Sequence, residues 1–280
     1  MEWLKRMDHA LEFIERTMDK PLDIEAIAKA ACSSSFHFHR MFHMWTGITV
    51  GEYVRKRKLT LAAQELAASS AKVVDVALKY GYDSPEAFSK AFRKIHGIAP
   101  SEARQSGVYL KAFPRLSFHF WVEGDKEVDY HIEEKEAFTV VGKSAVITCG
   151  NEGRSRSWFW GECQRDGTLD MITCLDTDTP WLGITMDFDE PFPYMIAKEA
   201  HDDSVADGLA RQTIPASTWA IFPCVGSLPS SMQNGFRQIY HQWFPATGYE
   251  HAGLPEIEVY PPGNATAEDY RCEAWIPIMK

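Results

Sequence analysis

Residues 24–100 contain one pattern twice. Phe38-His39-Arg40-Met41-Phe42 returns as Phe88-Ser89-Lys90-Ala91-Phe92, Gly47-Ile48 as Gly97-Ile98, and Glu52 as Glu102, each at a shift of 50 residues. Ile27-Ala28 with Cys32 match Val76-Ala77 with Gly81 at a shift of 49, so the second turn is one residue longer. A repeat of this period is a supersecondary unit used twice, and it limits the fold before any local pattern is read. Each copy predicts a short helix (24–31, 73–80), a tight turn, and a second helix (35–45, 85–96). Phe38, Phe42 and Trp45, and Phe88, Phe92 and Ile95, fall at i, i+4, i+7 and give each second helix one apolar face. Gly81 suits a sharp turn, and Ser84-Pro85 supplies an N-cap followed by proline at the first helical position. The outer faces carry His37, His39, Arg40 and His43, then Glu86, Ser89, Lys90, Arg93 and Lys94. A charged outer face alone fits any helical bundle. Repetition of turn and polar face together favours two helix-turn-helix units that read double-stranded DNA. Between the copies one long helix is expected over 51–69. It begins Tyr53-Val54-Arg55-Lys56-Arg57-Lys58-Leu59, with Arg55 and Arg57 placed to reach phosphates.

These residues resemble the DNA-binding domain of the AraC/XylS transcription regulators. The resemblance runs over about residues 5–106 and adds Phe36-His37-Phe38, Gly81-Tyr82 and Gly97-Ile98-Ala99-Pro100-Ser101 to the pieces above. It implies that the two second helices enter successive major-groove segments of an asymmetric site. By position, Phe36, His37, His39 and Arg40 face the first segment, and Glu86, Ala87, Ser89, Lys90 and Arg93 the second. Lys90 stands where arginine is frequent and offers a point charge instead of a bidentate fork. Activation is the commoner mode, with RNA polymerase as a further partner.

The net charge of −10 is unevenly spread. Residues 1–107 hold 16 Lys+Arg against 13 Asp+Glu, and residues 108–280 hold 13 against 26. Such asymmetry joins a nucleic-acid domain to an acidic half with another task. No apolar run approaches membrane-span length, the first residues form an amphipathic helix and not a signal core, and six scattered cysteines fit reduced thiols. A cytoplasmic location is expected.

From Leu116 the period shifts toward two. Strands are expected at 116–122, 128–135, 138–146, 170–174, 181–187, 194–197, 218–225, 256–260 and 270–277, a turn at 123–126, and helices at 156–165 and 230–243. Strand, helix, strand, strand, taken twice, makes this half α+β. The organisation expected is 1–107 as an all-α double helix-turn-helix domain, 108–125 as a connection and strand, and 126–280 as the second domain.

Glu273 lies between apolar neighbours in the last strand, either on an exposed face or as a buried carboxylate. Trp158, Trp160, Tyr194, Trp219, Phe222, Trp243, Phe244 and Tyr249 make this half dense in aromatics. A carboxylate ringed by aromatic faces would receive a lipophilic cation through charge and cation–π attraction.

The second half resembles the GyrI-like effector-binding domain of Rob-type and multidrug-sensing regulators. Trp219-Ala220-Ile221-Phe222-Pro223-Cys224, Trp243-Phe244-Pro245-Ala246-Thr247-Gly248-Tyr249-Glu250, Pro255-Glu256-Ile257-Glu258-Val259-Tyr260 and Cys272-Glu273-Ala274-Trp275-Ile276-Pro277 carry the likeness. It implies two strand-helix-strand-strand modules with a groove between them, a small cationic aromatic ligand, and Glu273 as its anchor. Trp275, Trp158, Tyr194, Trp219, Phe222 and Tyr249 are the aromatic candidates around it. No cofactor is implied. His37, His39 and His43 include an i, i+4 pair but lack further ligands for zinc. There is no G-x-S-x-G elbow and no glycine-rich phosphate loop. A hydrolase using Glu273 with a second carboxylate, and a protein-interaction module, are the alternatives to a ligand-controlled regulator.

Overall fold

The computed structural model describes residues 2–105, 107–117, 127–147, 155–173, 179–187, 192–200 and 208–280. It divides into two compact units, Met1–Val122 and Glu123–Lys280.

The first unit is helical: α1 (Glu2–Arg16), α2 (Ile24–Ala30), α3 (Ser35–Thr46), α4 (Val50–Ala68), α5 (Val73–Lys79), α6 (Pro85–His96) and a 3₁₀ turn at Pro100–Arg104. The repeat is visible in the caps. Ser34 Oγ accepts from the His37 N–H (3.2 Å) and Ser84 Oγ from the Ala87 N–H (3.1 Å), so each second helix starts with the same side-chain cap. The turns differ in chemistry and by one residue in length, but each has a residue of positive φ at the same place after its first helix. Gly81 takes φ 80°, and Cys32, its counterpart in the first copy, takes φ 49°. The left-handed region is open to glycine and costs a β-carbon residue roughly 1 kcal/mol, so the first turn holds a strain that the second avoids. Leu59, Ala62 and Leu66 of α4 pack with Val76, Ala77, Phe88 and Phe92 in one core.

Residues after the 3₁₀ turn are tied to this unit. Arg57 Nη1 donates to the Phe113 carbonyl (2.7 Å), the Phe113 N–H to Thr60 Oγ1 (3.0 Å), and the Leu116 N–H to Tyr53 Oη (3.3 Å). Leu116 and Ser117 are not in a strand. The rest of the strand expected at 116–122, the turn at 123–126, and Ser106 of the expected boundary lie outside the described residues.

The second unit contains β1 (His131–Lys135), β2 (Phe138–Ile147), α7 (Arg156–Arg165), α8 (Thr168–Thr173), β3 (Trp181–Thr185), β4 (Phe192–Glu199), β5 (Ala210–Ile214), β6 (Ser217–Val225), α9 (Ser230–Gln238), α10 (Phe244–Thr247), β7 (Glu250–His251), β8 (Glu256–Tyr260) and β9 (Arg271–Met279). A π-helical turn, Ile239–Trp243, joins α9 to α10. The strand expected at 170–174 is a correction, because its described part is the end of α8. The reason is local. Asp166 Oδ1 accepts from both the N–H and the hydroxyl of Thr168 (3.0 and 2.6 Å), which caps a helical start. Ile172 is buried as a helix-spaced residue and not by alternation.

The nine strands of the described residues form one sheet, in the order β1-β6-β9-β8-β3-β4-β2-β5, with β7 on β9 and every pairing antiparallel. The order is that of two modules, β2-α7-β3-β4 and β6-α9-β8-β9, related by a pseudo-twofold where β3 meets β8. The opening strands are exchanged: β1 precedes β2 but pairs with β6, and β5 precedes β6 but pairs with β2. One core cluster contains Phe138 and Ile214 from one end of this order and Trp219 and Ile221 from the other. A flat sheet could not bring those strands together, so the sheet curls and closes this face on itself. The opposite face receives the helices: Phe159 and Cys163 of α7 pack on Ile147, Phe192, Tyr194 and Ile196.

Candidate functional site

A cavity of about 550 Å³ lies over the middle of the sheet, on the helix-bearing face. Its walls are α7 (Arg156, Ser157, Trp160) and α9 (Met232, Gln233). Its floor is Trp181, Tyr194, Glu258 and Tyr260, and Tyr270 and the Pro261-Pro262-Gly263 turn close one end. Each module therefore gives one helix and part of the floor. Glu258 is the one carboxylate among these described lining residues.

Glu258 is there because of its register. On β8, Ile257 and Val259 point into the closed core, so Glu256, Glu258 and Tyr260 face the helices. Opposite Glu258 stand Gly183 on β3 and Ala274 on β9, the two smallest side chains available. A β-carbon at Gly183 would sit 2.2 Å from Tyr194 Oη and 2.6 Å from Glu258 Oε2. The missing side chain is the space in which the carboxylate and hydroxyl meet.

The carboxylate is buried and has three donors. Tyr194 Oη donates to Oε2 (2.7 Å), Tyr260 Oη to the same oxygen (3.1 Å), and Arg156 Nη1 to Oε1 (3.1 Å). Trp160 Nε1 donates to Tyr194 Oη (3.1 Å), extending the chain by one bond. Burial, and then the Glu258 charge, push both tyrosine hydroxyls well above their usual range, so they stay donors. Arg156 also reaches Thr185 Oγ1 (3.1 Å) and lies over the rings of Tyr194 (5.4 Å) and Phe192 (5.6 Å). A desolvated anion beside the faces of Trp160, Trp181, Tyr194 and Tyr260 can hold a positive, apolar guest.

Of the residues expected from sequence to surround a ligand, Tyr194 lines this cavity and the others do not. Glu273 pairs opposite Val259 on β9 and so points to the other face, where its carboxylate accepts from Trp275 Nε1 (2.8 Å). Trp219 is fully buried in the closed core and Trp275 packs against it. Trp158 is 39% exposed on α7. Phe222 and Tyr249 belong to an aromatic cluster around Trp243, with ring centroids at 5.0 and 5.5 Å. Glu256, the other acidic residue that β8 turns to the cavity's face, is buried against Tyr240 and His251 and does not line the cavity. Sequence reading overlooked Arg156, Trp181, Glu258 and Tyr260 as site residues and counted Trp160 only among the aromatics of this half. The available signal was Glu256-Ile257-Glu258-Val259-Tyr260, an alternating strand whose acidic positions must be buried if it lies mid-sheet with both faces covered.

The residues expected to meet DNA also divide. On α6, Glu86, Ala87, Lys90 and Arg93 are exposed and Ser89 is half-buried. On α3, Phe36 and His39 are half-buried, but His37 and Arg40 are buried, against the expectation of an open reading face. His37 packs on the Trp3 indole (5.2 Å), and Arg40 follows one turn later on the same flank. Arg55 is exposed. Arg57 is not a phosphate arm: its Nε and Nη2 grip Glu15 (2.8 and 2.6 Å) while Nη1 holds Phe113. Burial raises the Glu15 carboxyl, but the bonds from Arg57 and Tyr53 outweigh it and leave it below its usual value. Among the described residues no group of three His, Cys, Asp or Glu side chains is arranged to hold a metal ion, and no helix is long and apolar enough to cross a membrane.

Comparison with known proteins covers both units. A family described as "Helix-turn-helix domain" matches residues 27–106, and one described as "Integron-associated effector binding protein" matches residues 131–278. Regulatory protein SoxS of Salmonella typhimurium is 39% identical over 94 residues, which is 34% of this chain and 88% of that protein. HTH-type transcriptional activator AarP of Providencia stuartii is 38% identical over 96 residues, 34% of this chain and 71% of that one. A solved bacterial transcription regulation protein from Staphylococcus aureus aligns with a TM-score of 0.48 at 21% identity, covering 55% of this chain and all of that one.

Proposed function

We propose, for a chain that belongs to the AraC-type helix-turn-helix regulators and to the integron-associated effector-binding family, that a lipophilic aromatic cation bound at Glu258 controls its transcriptional output. The chain is a DNA-binding transcriptional regulator with an effector-binding domain; the ligand class, the residues and the direction of control are the proposal. The buried Glu258 carboxylate in an aromatic cavity carries it. The carboxylate attracts positive charge, the ring faces add cation–π attraction, and the aromatic walls favour a poorly hydrated cation over a small one. Activation is the direction favoured, since AarP, alike over the helical unit, is named an activator. Contact with RNA polymerase follows from that direction. A hydrolase reading would place two carboxylates at one cavity, and Glu258 has no acidic partner among the described lining residues.

DNA reading is assigned to Glu86, Ala87, Ser89, Lys90 and Arg93 on α6 and to Phe36 and His39 on α3, with Arg55 at a phosphate. Loss of Lys90 or Arg93 by alanine substitution is expected to weaken binding to the promoter site by about 1–3 kcal/mol if the side chain reads a base. A residue that touches only phosphate would instead lower the salt slope. Footprinting at two salt concentrations separates the cases, and unchanged affinity in both variants would move the reading surface off α6. Ligand control is tested by promoter output in vitro. Methyltriphenylphosphonium should change transcription with the wild-type chain and leave Glu258→Gln unresponsive. An equal response from both would remove Glu258 from the account.

A further inference from the structure

The cavity already contains a cation. Arg156 makes with Glu258, Tyr194 and Phe192 the contacts that an aromatic cation would want, one carboxylate and two ring faces. We infer that Arg156 is a built-in competitor for Glu258, which a ligand must displace, and that it sets how strongly the site selects among cations. This rests on Glu258 being the ligand's anchor.

The two partners are unequally fixed. The Glu258 side chain is 4% exposed and held by two tyrosine hydroxyls, whereas the Arg156 side chain is 33% exposed on the cavity wall. Arginine can keep its stem on the wall while its head moves into water; the glutamate cannot leave. Arg156 is also the first residue of α7, where the helix dipole disfavours a positive charge. The helix dipole therefore does not hold it there, whereas Glu258, Thr185 and the two rings do contact it. Displacement exchanges one positive charge for another at Glu258, so the buried carboxylate is never left alone. A small hydrated cation gains little in that exchange, because guanidinium already gives the carboxylate a charge-assisted hydrogen bond, gives a second to Thr185, and is itself weakly hydrated. A large cation with delocalised charge gains the aromatic walls as well. A neutral molecule of the same shape has nothing to offer the carboxylate and no reason to move Arg156.

The test is tryptophan-fluorescence titration with Trp160 and Trp181 as reporters. Methyltriphenylphosphonium, the neutral triphenylphosphine oxide, and tetraphenylborate are the probes. Arg156→Gln should bind the phosphonium about tenfold more tightly, as for a site whose competent form is otherwise populated about a tenth of the time. The phosphine oxide should be unaffected, and tetraphenylborate should bind neither protein. Arg156→Lys keeps a cation in place and should resemble wild type, which guards against reading a folding defect as an effect. Equal or weaker phosphonium binding by Arg156→Gln would overturn the inference, and so would equal tightening of phosphonium and phosphine oxide, the mark of a steric plug. Glu258→Gln keeps the two failures apart. If it retains phosphonium affinity, the cation anchor itself is wrong; if it loses it while Arg156→Gln gains nothing, only the competitor is wrong.

Discussion

Glu258 and Glu273 sit on neighbouring strands of one sheet, one step apart in register, and face opposite ways. Glu258 looks toward the helices, into a cavity with Tyr194, Tyr260 and Arg156 around it. Glu273 looks toward the face that curls onto Trp219, Ile221, Ile257 and Val259, and meets Trp275. The two carboxylates have similar strands and similar aromatic company in sequence. What separates them is which face carries the helices. The closed face serves stability, and the helix-bearing face keeps an opening between two modules.

The sharpest break between the faces should come from the closed one. Trp219→Ala removes a fully buried indole and is expected to cost about 3–5 kcal/mol of stability, read as a fall in Tm. Cation affinity of the molecules that remain folded should be unchanged; a selective loss of affinity would mean that the closed face feeds the site. Glu258→Gln is the counterpart. It leaves the shape and removes the charge, and should weaken cation binding by about 2–4 kcal/mol with a smaller change in Tm. Gly183→Ala tests the space beneath the network. Its β-carbon collides with Tyr194 Oη and Glu258 Oε2, and a cost of about 1–3 kcal/mol in stability is expected, together with weakened ligand binding. Full activity in that variant would show that the carboxylate does not need its present position. Glu273→Gln is the smallest change, within about 0.5 kcal/mol, because the side chain is half-buried and the glutamine amide oxygen can still accept from Trp275 Nε1.

The chain's sequence carried the helical unit plainly, because the repeat constrains turn, cap and apolar stripe at once. Even there, the burial of His37 and Arg40 was not legible. A helix's apolar stripe shows in its spacing, but how far neighbours such as Trp3 spread over its flanks does not. In the second unit, alternation located most strands, and the two-module order followed from it. β5 and β7 were missed, since Ala210–Ile214 is largely polar and exposed and Glu250–His251 has two residues. The site was the least legible part. Alternation divides a strand's residues between two faces but does not say which face receives α7 and α9. Glu273 was the anchor that the resemblance implied, and the neighbours around it mark the closed core. Gly183 and Ala274, which make room for Glu258, acquire that meaning only once strands β3 and β9 are known to flank β8.

The most direct measurement is a calorimetric titration of methyltriphenylphosphonium into the wild-type chain, Glu258→Gln and Glu273→Gln. Saturable binding by the wild type and Glu273→Gln, with loss of binding in Glu258→Gln, is the result the proposal predicts. Loss in Glu273→Gln with binding retained in Glu258→Gln would place the site on the other face of the sheet and contradict the account.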